Sequence, residues 1–490
     1  MEAAHIAVID IGSNSVRLVV YDRSGRAPIP RFNEKSLCRL GAGLAETGEL
    51  QPEGFRRTVE ALRRFRAISD AMEVVRTDVI ATEAVRRAGN GARLVAAIRE
   101  ETGLEVRVLS GAEEAHFAAL GVIAGFHEPA GLVGDMGGGS LEVAELTGGG
   151  GENSVSLPLG SLPVRALLAG GRREAKRRID ALLEEQLPQS FGRSAFYAVG
   201  GGWRALAQMH MAAKQAPVRV THGYALDPAE VRDFAKSLAR MPPSKLAAQP
   251  GVAARRLDTL PASALVLERV VKRLAPERVV FSALGVREGW LYAQLAPQTQ
   301  ALDPLLEGAD AIGTPQARVP AFGAALVRWT EGLFAGESAA ERRLRIAACV
   351  LSDVGWRDHA SVKAAESFRR LLQFPLVGLD HGERVFLAAT IHARYAGRPA
   401  DPALSPAIRL LPEGARRRAL ILGRVMLLGY RVSGSVPEIL ANARLQVGAD
   451  RVRLAIGAAA RVPDSEVVAD RLKLVADAFG VRRTEIVEAA

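Results

Sequence analysis

The sequence is poor in cysteine: its 490 residues include only Cys38 and Cys349, far apart along the chain. Two such thiols cannot build a disulfide framework or a cysteine-rich zinc site, and they suit a reducing cytoplasm. No uncharged apolar stretch reaches about 18 residues, the length of a membrane-spanning helix. The N-terminal Met-Glu-Ala-Ala-His lacks the basic and apolar regions of a leader. The expectation is therefore a soluble cytoplasmic protein with no membrane span. A basic tail is missing too, although Lys and Arg (64) outnumber Asp and Glu (54) and the formal charge is +10. Such a balance favours anionic partners, but the charge is dispersed among acids, which argues against dedicated nucleic-acid binding. There is no G-x-x-x-x-G-K-[ST] loop, and Gly200-Gly201-Gly202 does not complete a dinucleotide fingerprint.

What is present reads as a multi-domain globular chain, about three or four domains at roughly 100–200 residues each. The first half alternates short β-branched runs (Ile6–Ile11, Val16–Tyr21, Val74–Ile80, Val106–Leu109, Leu132–Asp135, Ala195–Val199) with amphipathic stretches (Pro52–Ser69, Ala92–Thr102, Ala112–Ala124), an α/β pattern. After a stretch at 301–320 that reads as a linker, strand signals stop. Helical spacing then runs through Ala340–Leu351, Ser361–Leu372, Gly382–Tyr395 and Arg416–Leu428.

An internal repeat carries the most information. Val8-Ile-Asp10-Ile-Gly12-Ser-Asn-Ser15 and Val133-Gly-Asp135-Met-Gly137-Gly-Gly-Ser140 share V-x-D-x-G-x-x-S at one spacing, 125 residues apart from Asp10 to Asp135. Each copy stands between two strand-like runs and predicts a hairpin. Glycine permits close backbone approach, successive turn N–H groups form an anion-binding concavity, and the serine adds a donor. An aspartate in such a loop would repel phosphate unless a divalent cation or a lytic water stood between them, so the pair of loops implies Mg²⁺.

Three further stretches accompany the repeat. The Gly200–Gly202 cluster sits at a strand-to-helix junction, where Gly201 would offer an anion the free N–H groups of a helix start. Thr82, Arg86 and Asn90 share one face at helical spacing, and Arg86 could hold a phosphate bidentately. Ser110-Gly-Ala-Glu113-Glu114-Ala opens a helix, and one of its glutamates could deprotonate water if the turn faces the loops.

These runs resemble the exopolyphosphatase and guanosine pentaphosphate phosphohydrolase family. The resemblance rests on Asp10-Ile-Gly-Ser-Asn-Ser, Ala81-Thr-Glu-Ala-Val-Arg86, Ser110-Gly-Ala-Glu-Glu-Ala, Asp135-Met-Gly-Gly-Gly-Ser-Leu-Glu142, Leu157-Pro-Leu-Gly160, Gly200-Gly-Gly and Ser282-Ala-Leu-Gly-Val-Arg-Glu-Gly289 in that order. It covers about residues 5–295, and the tail more loosely. It implies an actin-like, ribonuclease-H-like pair of α/β domains (1–125 and 126–300) with the site in the cleft between them, followed by an all-helical HD-like domain over 321–490. By the same resemblance Glu114 is the catalytic base. Asp10, Asp135 and Glu142 serve Mg²⁺ and the water network. Gly12, Ser13, Asn14, Ser15, Arg86, Gly137, Gly138, Gly139 and Ser140 hold phosphates. Arg256 and Asp258 match an R-x-D stretch, although Ser263 stands where a glycine is usual. In the tail the metal-binding histidine of the HD motif is missing from Leu351-Ser352-Asp353, so a second metallophosphatase site is not expected, and extending a basic channel or supporting a dimer is the more economical role.

The expected activity is Mg²⁺-dependent release of terminal phosphate from inorganic polyphosphate, with guanosine pentaphosphate as the alternative substrate. An actin-like kinase or ATPase and a non-catalytic polyphosphate sensor are the rivals from other classes. The S-G-x-E-E-A stretch argues for water as acceptor, and retention of the loop acids argues for turnover.

Overall fold

Ile6-Ala-Val-Ile-Asp-Ile is apolar on both faces except at Asp10, and it forms a fully paired central strand, β1 (Ile6–Ile11). The computed structural model describes residues 5–22, 25–147, 150–187, 194–251, 254–399, 404–458 and 465–489. In it the turn Gly12–Ser15 folds β1 back on β2 (Val16–Tyr21), antiparallel, with Asp10 opposite Arg17. Next come β3 (Pro30–Ser36), β4 (Arg76–Ala81) and β5 (Val106–Val108), giving the order β3-β2-β1-β4-β5. Its edge strand β3 starts at a proline and is largely polar and exposed, as an unpaired edge requires.

The second sheet repeats the first. Its strands are β6 (Gly131–Met136), β7 (Leu141–Thr147), β8 (Gly150–Leu157), β9 (Ala195–Val199), β10 (Tyr224–Leu226) and β11 (Arg278–Phe281), in the order β10-β11-β9-β6-β7-β8. Counted from the central strand, β6, β7, β8, β9 and β11 stand where β1, β2, β3, β4 and β5 stand in the first sheet, and β10 adds an antiparallel edge. Asp135 faces Glu142 across the β6–β7 hairpin, as Asp10 faces Arg17. Both halves of the repeat are therefore hairpins, and both turns lie at the carboxyl end of a central strand, where open α/β sheets bind ligands.

Between the sheets runs the Gly111–Gly125 helix. The amphipathic pattern expected for it is corrected: it is apolar nearly all round, because it serves two cores. Phe117, Leu120 and Ala124 pack with β1, β2 and β4, while Ala115, Ala118, Ala119 and Val122 pack with β6, β7 and β9. The Val286–Ala293 helix crosses it backbone to backbone. A Cβ on Gly121 would lie 2.2 Å from the Gly285 carbonyl oxygen, and one on Gly289 1.8 Å from that of Phe117. Only glycine lets these helices approach so closely.

Residues 1–304 form one unit and residues 305–490 another. The second is mainly helical, with helices at Ala339–Val350, Lys363–Gln373, His381–Ala396 and Glu413–Ser433. The expectation that strands end near residue 300 is corrected. β12 (Ala443–Val447), β13 (Arg451–Gly457) and β14 (Arg483–Ala489) form a three-stranded sheet against the Glu466–Phe479 helix. The stretch read as a linker also contains a helix, Pro304–Gln316. Where the HD motif would place a metal ligand, Asp353 is buried and its carboxylate is taken by Arg318 (2.8 and 2.9 Å) and Arg394 (3.1 Å). Cys38 and Cys349 are both buried and free. No helix of the described residues is long and apolar enough to cross a membrane.

Candidate active site

The two repeat turns share one construction. In the first, Gly12 N donates to Ser15 O (3.1 Å), and in the second Gly137 N donates to Ser140 O (2.9 Å). Each turn is then strapped from behind through its carbonyls. Arg39 N and Gly41 N bind the carbonyls of Asn14 and Ser13, while Gly160 N, Ser161 N and Leu162 N bind those of Gly139, Gly137 and Gly138. With the carbonyls consumed, the N–H groups of Ser13, Asn14, Gly138 and Gly139 have no partner among the described residues. Such a set of free donors is an anion cradle. The turns abut, since a Cβ on Gly138 would sit 2.8 Å from that of Ser13. The Leu157–Gly160 stretch therefore acts from behind the loop. A Cβ on Gly160 would strike the Gly139–Ser140 peptide at 2.2–2.4 Å.

Behind each turn one cross-strand row fronts the cleft. In the first sheet the row is Lys35–Arg17–Asp10, and in the second it is Ser156–Glu142–Asp135. A cavity of about 200 Å³ lies between them, lined by Lys35, Arg17, Asp10, Glu142 and Asp135 of these rows, by Gly12–Ser15, Thr82, Gly137, Gly138 and Glu114, and across from these by Gly200–Gly202, Arg204, Arg256, Arg287 and Glu288. The Gly201–Ala213 helix points its start at this cavity, and Arg256 lies over Gly201. Helix terminus and guanidinium both favour an anion there.

The two adjacent glutamates part company. Ser110 and Glu113 close a capping box, with Glu113 Oε2 accepting from Ser110 N at 2.8 Å and Glu113 N donating to Ser110 Oγ at 3.2 Å. These backbone bonds, with Arg107, hold the Glu113 carboxyl down to about 2. Glu114 instead turns into the cleft, 6% exposed. Burial raises its pKa to about 7, with Asp135 and Asp10 adding to the rise and Arg86 opposing it. Arg86 bonds both the Glu114 carboxylate and the Leu109 carbonyl.

Asp10, Asp135 and Glu142 also have raised pKa values, burial being the largest cause in each, and Asp135 reaches about 6. Glu142 accepts from Ser156 Oγ at 2.9 Å and is bonded by Ser140. A crowd of buried carboxylates is a donor set that fits a hard cation. Among the described residues no three His, Cys, Asp or Glu side chains converge as a ready cage. That suits Mg²⁺, which is usually held by one or two carboxylates, water and substrate phosphate.

Of the residues expected from sequence, the cavity brings together Asp10, Gly12, Ser13, Asn14, Ser15, Glu114, Asp135, Gly137, Gly138, Glu142 and Gly201. Gly139, Ser140 and Arg86 stand behind its wall, at the strap, at Glu142 and at Glu114. Asn90 is corrected: the helix Glu83–Arg87 ends before it, and its amide spans the backbone of Leu50 at 2.9 and 3.0 Å. Arg17, Lys35 and Arg204 were not singled out from sequence, and Arg287 and Glu288, quoted within the Ser282–Gly289 run, were given no role there. The repeat itself carried a signal for Arg17, which holds in the first copy the place Glu142 holds in the second.

The Ppx/GppA phosphatase family profile matches residues 3–298, and the profile described as Exopolyphosphatase, C-terminal matches residues 305–487. Exopolyphosphatase 1 of Mycobacterium leprae is 28% identical over 304 residues, covering 59% of this chain and 89% of the relative. Retrograde regulation protein 2 of Saccharomyces cerevisiae is 29% identical over 336 residues, covering 61% of this chain and 57% of that protein. Among solved structures, a Ppx/GppA family member from Aquifex aeolicus superposes with a TM-score of 0.52 at 26% identity, covering 59% of this chain and 96% of the other. An exopolyphosphatase from Cytophaga hutchinsonii shares the fold, with a TM-score of 0.53 at 24% identity and coverage of 59% and 97%.

Proposed function

Since this chain belongs to the Ppx/GppA phosphatase family, with a duplicated actin-like α/β fold in its first unit, we propose that it is an Mg²⁺-dependent exopolyphosphatase, releasing terminal orthophosphate from inorganic polyphosphate. The observation that carries this reading is the position of Glu114: a buried carboxylate with its pKa raised to about 7, opening onto the same cavity as two phosphate cradles. A base is most effective near the operating pH. The names of the relatives support polyphosphate over guanosine pentaphosphate, and so does the lining of the cleft. Among the described residues it carries no aromatic side chain on which a guanine could stack.

In the reaction, Glu114 accepts a proton from water while the water oxygen bonds to the terminal phosphorus. The bridging P–O bond breaks on the opposite side, giving orthophosphate and a chain one unit shorter. Arg86 holds the base in place. The free N–H groups of Ser13, Asn14 and Gly138 meet the non-bridging oxygens as charge develops there. When bound, Mg²⁺ would take one or two of the Asp10, Asp135 and Glu142 carboxylates, with water and substrate oxygens completing its shell, and would neutralise phosphoryl charge. A cytoplasmic setting agrees with two free, buried cysteines.

The test is phosphate release from defined polyphosphate chains and from guanosine pentaphosphate, each with Mg²⁺ and with EDTA. Preferential release from polyphosphate that EDTA abolishes is expected. Preference for the nucleotide, or transfer to an acceptor other than water, would overturn the reading.

A further inference from the structure

A buried acid stands behind both phosphate cradles and faces neither the cavity nor solvent. Glu83 opens the five-residue helix Glu83–Arg87 that follows β4. It is 6% exposed and is not part of the cavity lining. Its Oε2 accepts from the Ser13 hydroxyl of the first loop at 3.1 Å. The same carboxylate bears on the second loop, because a Cβ on Gly139 would lie 1.8 Å from Oε2 and 2.2 Å from Cδ. One side chain thus touches both turns of the repeat, where the two abut.

An ordinary ion pair does not account for this placement. Arg87, one helical turn on and half exposed, donates to Glu83 Oε1 at 2.7 Å and balances the charge from the solvent side. That bond needs neither a hydroxyl at Ser13 nor a bare α-carbon at Gly139. The φ of Gly139 lies outside the left-handed region, so backbone strain does not demand glycine there. The carboxylate does, by filling the space a Cβ would take. Electrostatics does not favour an acid here either, since a negative charge behind two anion cradles works against the anion they receive. What the carboxylate supplies is a spacer of fixed size. It also divides the work of Ser13, whose hydroxyl proton goes to Glu83 and whose backbone N–H is left for phosphate. Arg86, on the same short helix, bonds Glu114, so the element that spaces the cradles also carries the group that holds the base.

We propose that Glu83 is a positioning residue that clips the two phosphate loops at a set separation, accepting from Ser13 on one side and packing against Gly139 on the other. This rests on the phosphatase reading above and adds to it a residue that touches neither phosphate nor water. The spacing matters because N–H groups from both loops must meet one phosphoryl group together.

The test uses the full-length protein and reads kcat and KM for phosphate release from tripolyphosphate alongside the melting temperature. Glu83→Ala should lower kcat/KM about 10- to 100-fold, the scale of a reacting geometry displaced by about 1 Å. Glu83→Gln keeps both an oxygen for Ser13 and the bulk against Gly139, and should restore most of that loss. Ser13→Ala breaks the same bond from the other side, and Gly139→Ala crowds the same carboxylate. Each of these combined with Glu83→Ala should therefore lose less than the product of the two single losses. Losses that multiply in either pair, or a lowered melting temperature in Glu83→Ala with kcat and KM unmoved, would show an ion pair of the fold alone and overturn the proposal. Where Glu83→Ala does not fold, Glu83→Leu, which fills the site but accepts nothing, takes its place beside Ser13→Ala under the same criterion. Failure here is distinguishable from failure of the phosphatase reading. Wild-type turnover with multiplying losses defeats Glu83 alone. If the wild type releases no phosphate, the same pairs are read by calorimetric binding of tripolyphosphate, and affinity losses short of the product uphold Glu83 while the hydrolase alone is defeated.

Discussion

Glu113 and Glu114 are chemically identical neighbours set to opposite tasks by one helical step. Glu113 is consumed by the capping box, so Glu113→Ala should cost about 1 kcal/mol of stability and leave kcat within a few-fold, read by denaturant melts and phosphate release. Glu114→Gln should lower kcat by about 10²–10⁴, the range of general-base catalysis, and still bind polyphosphate. Because the base must be ionised, kcat/KM should rise with pH through an apparent value near the 7 of Glu114. The same shift has a sign for stability. A carboxyl whose folded pKa is raised binds more protons folded than unfolded between about 4.5 and about 7, so its contribution to stability falls as pH rises through that window. Glu114→Gln should therefore gain melting temperature relative to wild type between pH 5 and pH 8, and an unchanged difference would count against a buried Glu114 whose charge Arg86 only partly offsets. Sequence alone could not choose between the two glutamates. That required a resemblance, and the cap explains it physically.

At the scale of elements, both hairpins were legible because glycine, aspartate and serine recur at one spacing between β-branched runs. The straps behind them were not, since nothing in the residues 39–41 announces a backbone contact with Ser13 and Asn14. Gly160→Ala tests how much the strap matters. Its backbone conformation is ordinary (φ −66°), so the effect should come from displacing the Gly139–Ser140 peptide, with phosphate release falling at least about tenfold, as for a lost oxyanion donor, while the fold persists by circular dichroism. The sheet β12–β14 was missed for a mixed reason. β13 alternates cleanly, with Val452, Leu454 and Ile456 buried. β12 has only five residues, β14 is more polar than apolar, and both pair with β13. The Asn90 expectation failed because it extended helical spacing past a helix of five residues.

For the whole molecule, part of the positive charge is engaged within the protein. Arg178 and Lys176 pair with Glu174 (2.9 Å) and Glu268 (3.4 Å), and Arg416 and Arg417 cap backbone carbonyls. Among the described residues, the clusters of the two sheets lie wholly before residue 304, and a further cluster runs from Ile421 to Ala478. Residues 1–304 expressed alone should fold and hydrolyse tripolyphosphate with kcat within about tenfold of the full chain; a melt without cooperativity, or an inactive but folded fragment, would contradict this. Lastly, the Gly111–Gly125 helix is shared by both sheets and clamped by its glycine crossing. Any swing of one sheet against the other must turn about it, like jaws on an axle. Glu114, the base of the proposed reaction, is mounted on that axle and not on either cradle.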